Sequence, residues 1–151
     1  MTTKGVLAID IGGTKIALAA IDLAGHWLAQ TKFVIAGLDG GAIVTQLLAA
    51  SQQLVSQAQL TVTGIGVSTI GVVDGEHLKL VPTIKGWDHV NLKAALQRQF
   101  TQIPVWIEND VKAATYAEVL NGALKGTTAG LYLNLGTGIA TGLSLGDRVI
   151  R

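Results

Sequence analysis

Apolar positions in the first third of the chain come in short runs separated by glycine. Residues 6–10 form one run, Lys15–Asp22 a second and Trp27–Val34 a third, with Gly12-Gly13 and Gly25 between them. Runs of this length joined by tight glycine turns predict three strands in an antiparallel meander. Gly40-Gly41 ends the strand pattern. Over residues 43–58 the spacing changes. Ile43, Val44, Leu47, Leu48, Leu54 and Val55 recur at the intervals of an amphipathic helix. Residues 62–68 return to strand character, with Gly64 and Gly66 inside, where glycine often marks a close approach to the backbone.

The second half repeats the theme. Residues 71–74 read as a loop and 77–81 as a short strand; Asn91 caps a helix with Leu92, Leu96 and Phe100 on one stripe. Residues 104–107 predict a strand, followed by an alanine-rich helix to about Leu120 that Gly122 and Gly126 close. Two strands follow, 131–135 and Ile139–Leu145, around the turn Gly136-Thr137-Gly138. Gly146-Asp147 is a hairpin signal, and residues 148–151 begin another strand. A strand, a glycine turn with threonine and a second strand thus occur twice, at residues 8–17 and 132–143. The expected class is α/β, a mixed sheet flanked by helices with the start of a second similar domain. The expected boundaries are 1–116 for the first domain and 117–151 for the second.

Composition narrows the function classes. The 151 residues are 49% hydrophobic and 14% charged, with net charge +1 and no cluster of Lys and Arg. Neither a nucleic-acid footprint nor a polybasic membrane patch is expected. Without cysteine the chain has no disulfide framework and no cysteine-based zinc site. Residues 1–5 lead directly into a strand pattern and no apolar run reaches membrane-spanning length, so a cytoplasmic protein is expected.

Three segments carry candidate chemistry. In Asp10-Ile11-Gly12-Gly13-Thr14-Lys15, glycines between two strands let backbone N–H groups point at a phosphate. Thr14 adds a hydroxyl, Lys15 a positive charge, and Asp10 a carboxylate able to hold magnesium through water. A positive φ is expected at Gly13, so that a branched residue there would meet both the phosphate and the backbone preference. The spacing is not that of a P-loop, and a plain hairpin turn is the bland alternative. Gly136-Thr137-Gly138 follows the same logic. Glu108-Asn109-Asp110 lies between an apolar strand and a helix start, where Asp110 could accept a proton from a hydroxyl and Asn109 could hold a neighbouring one. Helix capping is the alternative there. Trp87 fits core better than a sugar face, and His26, His77 and His89 read as solvated surface without an i, i+4 partner.

In this order and at these separations the three segments resemble the ROK family of sugar kinases, within the ribonuclease H-like or actin-like ATPase fold superfamily. The resemblance covers essentially the whole chain and looks like the amino-terminal portion of a glucokinase. It implies ATP and magnesium as cofactors and a hexose, glucose or a related sugar, as acceptor. It places Asp110 as catalytic base and Asn109, Glu108, Gly71 and Thr83 beside the sugar. Asp10, Gly12, Gly13, Thr14, Lys15, Gly136, Thr137 and Gly138 fall at the nucleotide, with Asp10 on magnesium through water. Family members often carry proline on either side of the Gly71 position and asparagine at the Thr83 position. Here Ile70, Val72 and Thr83 stand instead, which bears on the sugar more than on the reaction. The family's zinc motif is not expected within these residues, a homodimer is possible, and the fragment alone is expected to be inactive. A sugar-sensing regulatory module of the same fold is the alternative function; an actin-like scaffold is a more distant one.

Overall fold

A computed structural model describes residues 2–75, 77–81, 83–135 and 138–150. The elements in chain order are β1 (Thr3–Ile11), β2 (Lys15–Asp22), β3 (Trp27–Val34), α1 (Gly40–Gln57), β4 (Leu60–Thr69), β5 (Val72–Asp74) and β6 (His77–Lys79). A single 3-10 turn at Trp87–His89 precedes α2 (Leu92–Gln99), β7 (Val105–Asn109), α3 (Asp110–Asn121), β8 (Ala129–Leu135), β9 (Ile139–Leu145) and β10 (Arg148–Val149). The mixed sheet and flanking helices of the sequence reading are present. Residues 71–74, read as a loop, instead hold β5, which pairs antiparallel with β6. Three residues are too few for a periodic signal, so only the partner strand makes this segment β.

Two compact units result, Met1–Ile107 and Glu108–Arg151. The boundary expected at residues 116 and 117 lies inside α3.

The first unit is built on a five-stranded sheet in the order β3-β2-β1-β4-β7. β1 pairs antiparallel with β2 and parallel with β4, so the predicted meander continues through a crossover that contains α1. Alternation along the strands sends Leu7, Ile9 and Ile11 to one face, where register aligns them with Ala20, Leu18 and Ile16 of β2. Ile65 and Val67 of β4 stand beside Leu7 and Ile9 on that face. Ile43, Leu47 and Leu54 of α1 complete the same buried cluster. The helix starts where the glycine pair seemed only to stop a strand, because the Asp39 side chain accepts a hydrogen bond from the Ala42 N–H at 2.9 Å. Trp87 is fully buried in this core, as its core reading anticipated.

One irregularity interrupts the β1–β4 ladder. Gly5 pairs with Val62 but Val6 pairs with Gly64, leaving Thr63 as an extra residue on β4. The Thr63 hydroxyl donates to the Gly5 carbonyl at 2.9 Å, so the bulge keeps that carbonyl satisfied.

The second unit sets α3 against a three-stranded antiparallel sheet in the order β10-β9-β8. α3 lies on the face that carries small residues. A Cβ on Gly142 would stand 1.8 Å from the Thr115 hydroxyl oxygen, so helix and strand approach as closely as glycine allows. Across the register, Leu131, Leu133 and Leu135 align with Leu143, Thr141 and Ile139 on the other face, and the apolar members of that set are exposed.

Candidate functional site

The first unit gathers the glycine turn and the segment around Gly71. Asp10 is the penultimate residue of β1, on the face opposite the core, and is exposed. Its Oδ1 accepts a hydrogen bond from the Ser68 hydroxyl, while Oδ2 accepts none among the described residues. The turn closes when the Gly12 N–H donates to the Lys15 carbonyl at 3.0 Å, and the Ile35 N–H donates to the Thr14 carbonyl at 2.9 Å. Lys15 is exposed and makes no ion pair among the described residues.

The positive φ expected at Gly13 is not found; neither Gly12 nor Gly13 is left-handed. Conformation therefore does not require glycine at position 13, and the space beside it becomes the informative quantity. A Cβ on Gly13 would stand 3.7 Å from the Thr83 hydroxyl oxygen and 3.8 Å from Ile70 Cδ1, an ordinary contact distance. Three residues singled out separately in the sequence, Gly13, Ile70 and Thr83, thus lie together. Gly71 is required on both counts: its φ is +89°, and a Cβ would fall 2.3 Å from Val81 Cγ2.

The second unit holds Glu108-Asn109-Asp110 at the start of α3. Asn109 caps the helix, its Oδ1 accepting from the Val111 and Lys112 N–H groups at 3.1 and 3.2 Å. Capping does not exhaust the residue, because its Nδ2 donates to Asp110 Oδ1 at 2.9 Å. The Val111 N–H donates to that same Oδ1, also at 2.9 Å. Asp110 is therefore held by one oxygen, and Oδ2 accepts no hydrogen bond among the described residues. The carboxylate is half-buried at the first residue of α3. Glu108 Oε1 accepts from the Asn109 backbone N–H at 3.0 Å, so the three consecutive residues share one local hydrogen-bond network. Asn109 realises the cap reading and, with its remaining donor, orients the Asp110 carboxylate.

Gly138 is exposed, with nothing within 4 Å of where its Cβ would stand. Gly136 and Thr137, the rest of that predicted turn, lie outside the described residues, as does Pro82.

Two features escaped the sequence reading. The contact of Ser68 with Asp10 was not foreseen, although the break in alternation between Leu60 and Ile65 signals the bulge that carries Ser68 to the Asp10 face. His26 does have an i, i+4 partner: its Nδ1 lies 2.9 Å from Asp22 Oδ2. The His26 backbone N–H, followed by its side chain, holds the Asp22 carboxyl below its usual range. Asp22 to His26 is the β2–β3 turn, at the opposite end of β2 from Lys15.

Among the described residues no group of three or more His, Cys, Asp or Glu could hold a metal ion. Asp10 alone still fits magnesium, which binds through one or two carboxylates and otherwise keeps water and phosphate oxygens. No helix of the described residues is long and apolar enough to cross a membrane.

Known proteins resemble this chain over nearly its whole length. A family model described as the ROK family matches residues 6–151. A β-glucoside kinase of Listeria monocytogenes is 32% identical over 148 residues, which cover 97% of this chain and 48% of that protein. Among solved structures, the ROK hexokinase of Thermus thermophilus superposes with a TM-score of 0.80 at 33% identity, covering 97% of this chain and 48% of that one. A ROK family glucokinase from Streptomyces griseus, in complex with glucose and AMPPNP, gives a TM-score of 0.78 at 31% identity, with 97% and 46% covered. The chain spans about half the length of each.

Proposed function

The chain belongs to the ROK family, and from that premise we propose that the protein carrying it transfers the γ-phosphoryl group of ATP to a hydroxyl of glucose or a related hexose. The observation that carries the reading is Asp110, anchored through Oδ1 by Asn109 and the Val111 N–H with Oδ2 open. A general base needs this arrangement: one oxygen fixes the rotamer and the other accepts the proton as the sugar oxygen attacks phosphorus. Phosphoryl transfer asks for positioning and charge stabilisation more than for covalent chemistry. Gly12, Gly13, Thr14 and Lys15 supply N–H, hydroxyl and ammonium groups to the phosphates, and Gly136, Thr137 and Gly138 are assigned the same task. Asp10 would hold magnesium, which when bound would neutralise phosphate charge. Glu108, Gly71 and Thr83 are assigned to the sugar side. Asn109, whose amide is engaged in the cap and on Asp110, serves as the residue that aims the base.

The relatives named glucokinase and β-glucoside kinase support this reading. A coupled ADP-release assay of the full-length protein across a panel of hexoses tests it. Asp110→Asn is expected to lower kcat by about 10²–10⁴-fold and to leave the sugar KM nearly unchanged, because the base acts mainly in the transition state. Sugar binding by calorimetry without ADP release for any hexose would replace the kinase with a sugar sensor. Near wild-type kcat in the variant would remove Asp110 from the mechanism.

A further inference from the structure

Ser68 has no role in the reading above, yet among the described residues its hydroxyl is the one side-chain group that hydrogen-bonds Asp10. Its placement follows from the ladder. In the parallel β1–β4 register Asp10 stands directly beside Ser68, and paired residues share a face. Both belong to the open face of the sheet: Asp10 is exposed and Ser68 is half-buried, whereas Val67 and Thr69 on either side are buried in the opposite direction. A hydroxyl at this point can therefore reach Oδ1 and nothing in the core.

The choice of donor also matters. Lysine or arginine beside Asp10 would orient the carboxylate but cancel its charge. Serine is neutral, so it adds no cation beside the carboxylate and leaves Oδ2 open to a hard divalent cation, which seeks oxygen ligands. Lys15, five residues on, makes no ion pair among the described residues and leaves that charge uncompensated. Loss of a group that hydrogen-bonds a metal's carboxylate ligand typically costs about 10–100-fold in metal affinity.

We propose that Ser68 is a positioning residue, whose hydroxyl fixes Oδ1 of Asp10 so that Oδ2 faces the hydrated magnesium ion that accompanies a nucleoside triphosphate. This rests on the kinase reading for the identity of the ligand. The test uses the full-length protein, its Ser68→Ala and Ser68→Thr variants, and two readouts: steady-state magnesium titration of hexose phosphorylation, and binding of Mn²⁺ with AMPPNP followed by electron paramagnetic resonance. Ser68→Ala is expected to raise the half-saturating metal concentration in both by about 10–100-fold. The sugar KM and the melting temperature should stay unchanged, and Ser68→Thr, which keeps the hydroxyl, should restore the metal affinity. Metal titrations of Ser68→Ala that overlay the wild type overturn the proposal, as does a parallel loss of sugar affinity and melting temperature, which marks a purely structural residue. If wild-type protein turns over no hexose, the kinase reading fails; the Mn²⁺ signal then still decides for or against Ser68 by itself.

Discussion

The two units of this chain treat their apolar residues in opposite ways. In the first, the apolar face of the sheet is closed: Leu7, Ile11 and Ile65 are 0% exposed beneath α1. In the second, α3 lies on the face with Gly130, Gly142 and Ser144, while Leu131, Leu133 and Leu135 on the other face remain 49% to 70% exposed. The strand patterns of the two units are equally clear. Alternation specifies which side chains share a face; it does not specify what covers that face. The first unit carries its own cover in the β1-to-β4 crossover, and the second does not contain one among the described residues.

The sharpest way to break this contrast is to truncate one leucine in each sheet. Leu7→Ala should cost about 2–5 kcal/mol, the usual range for a buried leucine. Leu133→Ala should fall within about 0.5 kcal/mol, as surface substitutions do. All three tryptophans, Trp27, Trp87 and Trp106, lie in the first unit. Urea unfolding followed by tryptophan fluorescence therefore reports that unit, and far-ultraviolet circular dichroism reports both. Equal costs for the two leucines would mean that the second face is covered in solution. Light scattering would then test whether a second copy of the chain is the cover.

A smaller effect is expected where α3 meets β9. Gly142→Ala places a methyl group against Thr115, whose buried hydroxyl donates to the Val111 carbonyl at 2.6 Å and has little room to move. Overpacking of this kind costs about 1–3 kcal/mol. The double variant Gly142→Ala with Thr115→Ala should recover part of that loss, since the two sites touch. Additive losses in circular dichroism melts would show that the contact is not the cause.

The smallest effect concerns pH. Asp22 is held below its usual carboxyl range by the backbone N–H and then the side chain of His26. A carboxylate whose pKa folding lowers contributes stability above its unfolded pKa and loses it as pH falls through the folded value. The melting temperature of the first unit should thus decline on acidification below the ordinary carboxylate range, slightly less steeply in Asp22→Asn. High salt should narrow the difference. Identical acid profiles for the two proteins would remove the Asp22–His26 contact from the stability of this unit.

Much of this was legible in the sequence, because most elements are long enough to show their period. α1 announced itself by Ile43, Leu47 and Leu54, although the Asp39 cap was read past in favour of the glycine pair. β5 was not legible, since Val72–Asp74 becomes a strand only through pairing with His77–Lys79. At the site, residue types pointed to Asp10 and Asp110, but not to the partners that fix their rotamers. The Asn109 amide serves the cap and the Asp110 carboxylate together, a division of hydrogen bonds that one-dimensional spacing cannot reveal. The backbone of Gly13 was misjudged because a glycine pair in a turn is compatible with several φ values.

The bulge at Thr63 gives β4 something like a reading frame. Upstream of it Leu60 faces the core, and downstream Ile65, Val67 and Thr69 do, a change from even to odd numbers. An insertion or deletion of one residue before the bulge can be taken up there, as the extra residue is already unpaired. The same change between Gly64 and Ser68 would put the strand out of frame, exchanging buried for exposed positions and turning the Ser68 hydroxyl away from Asp10. Length variation among related chains should therefore be tolerated on one side of Thr63 and purged on the other.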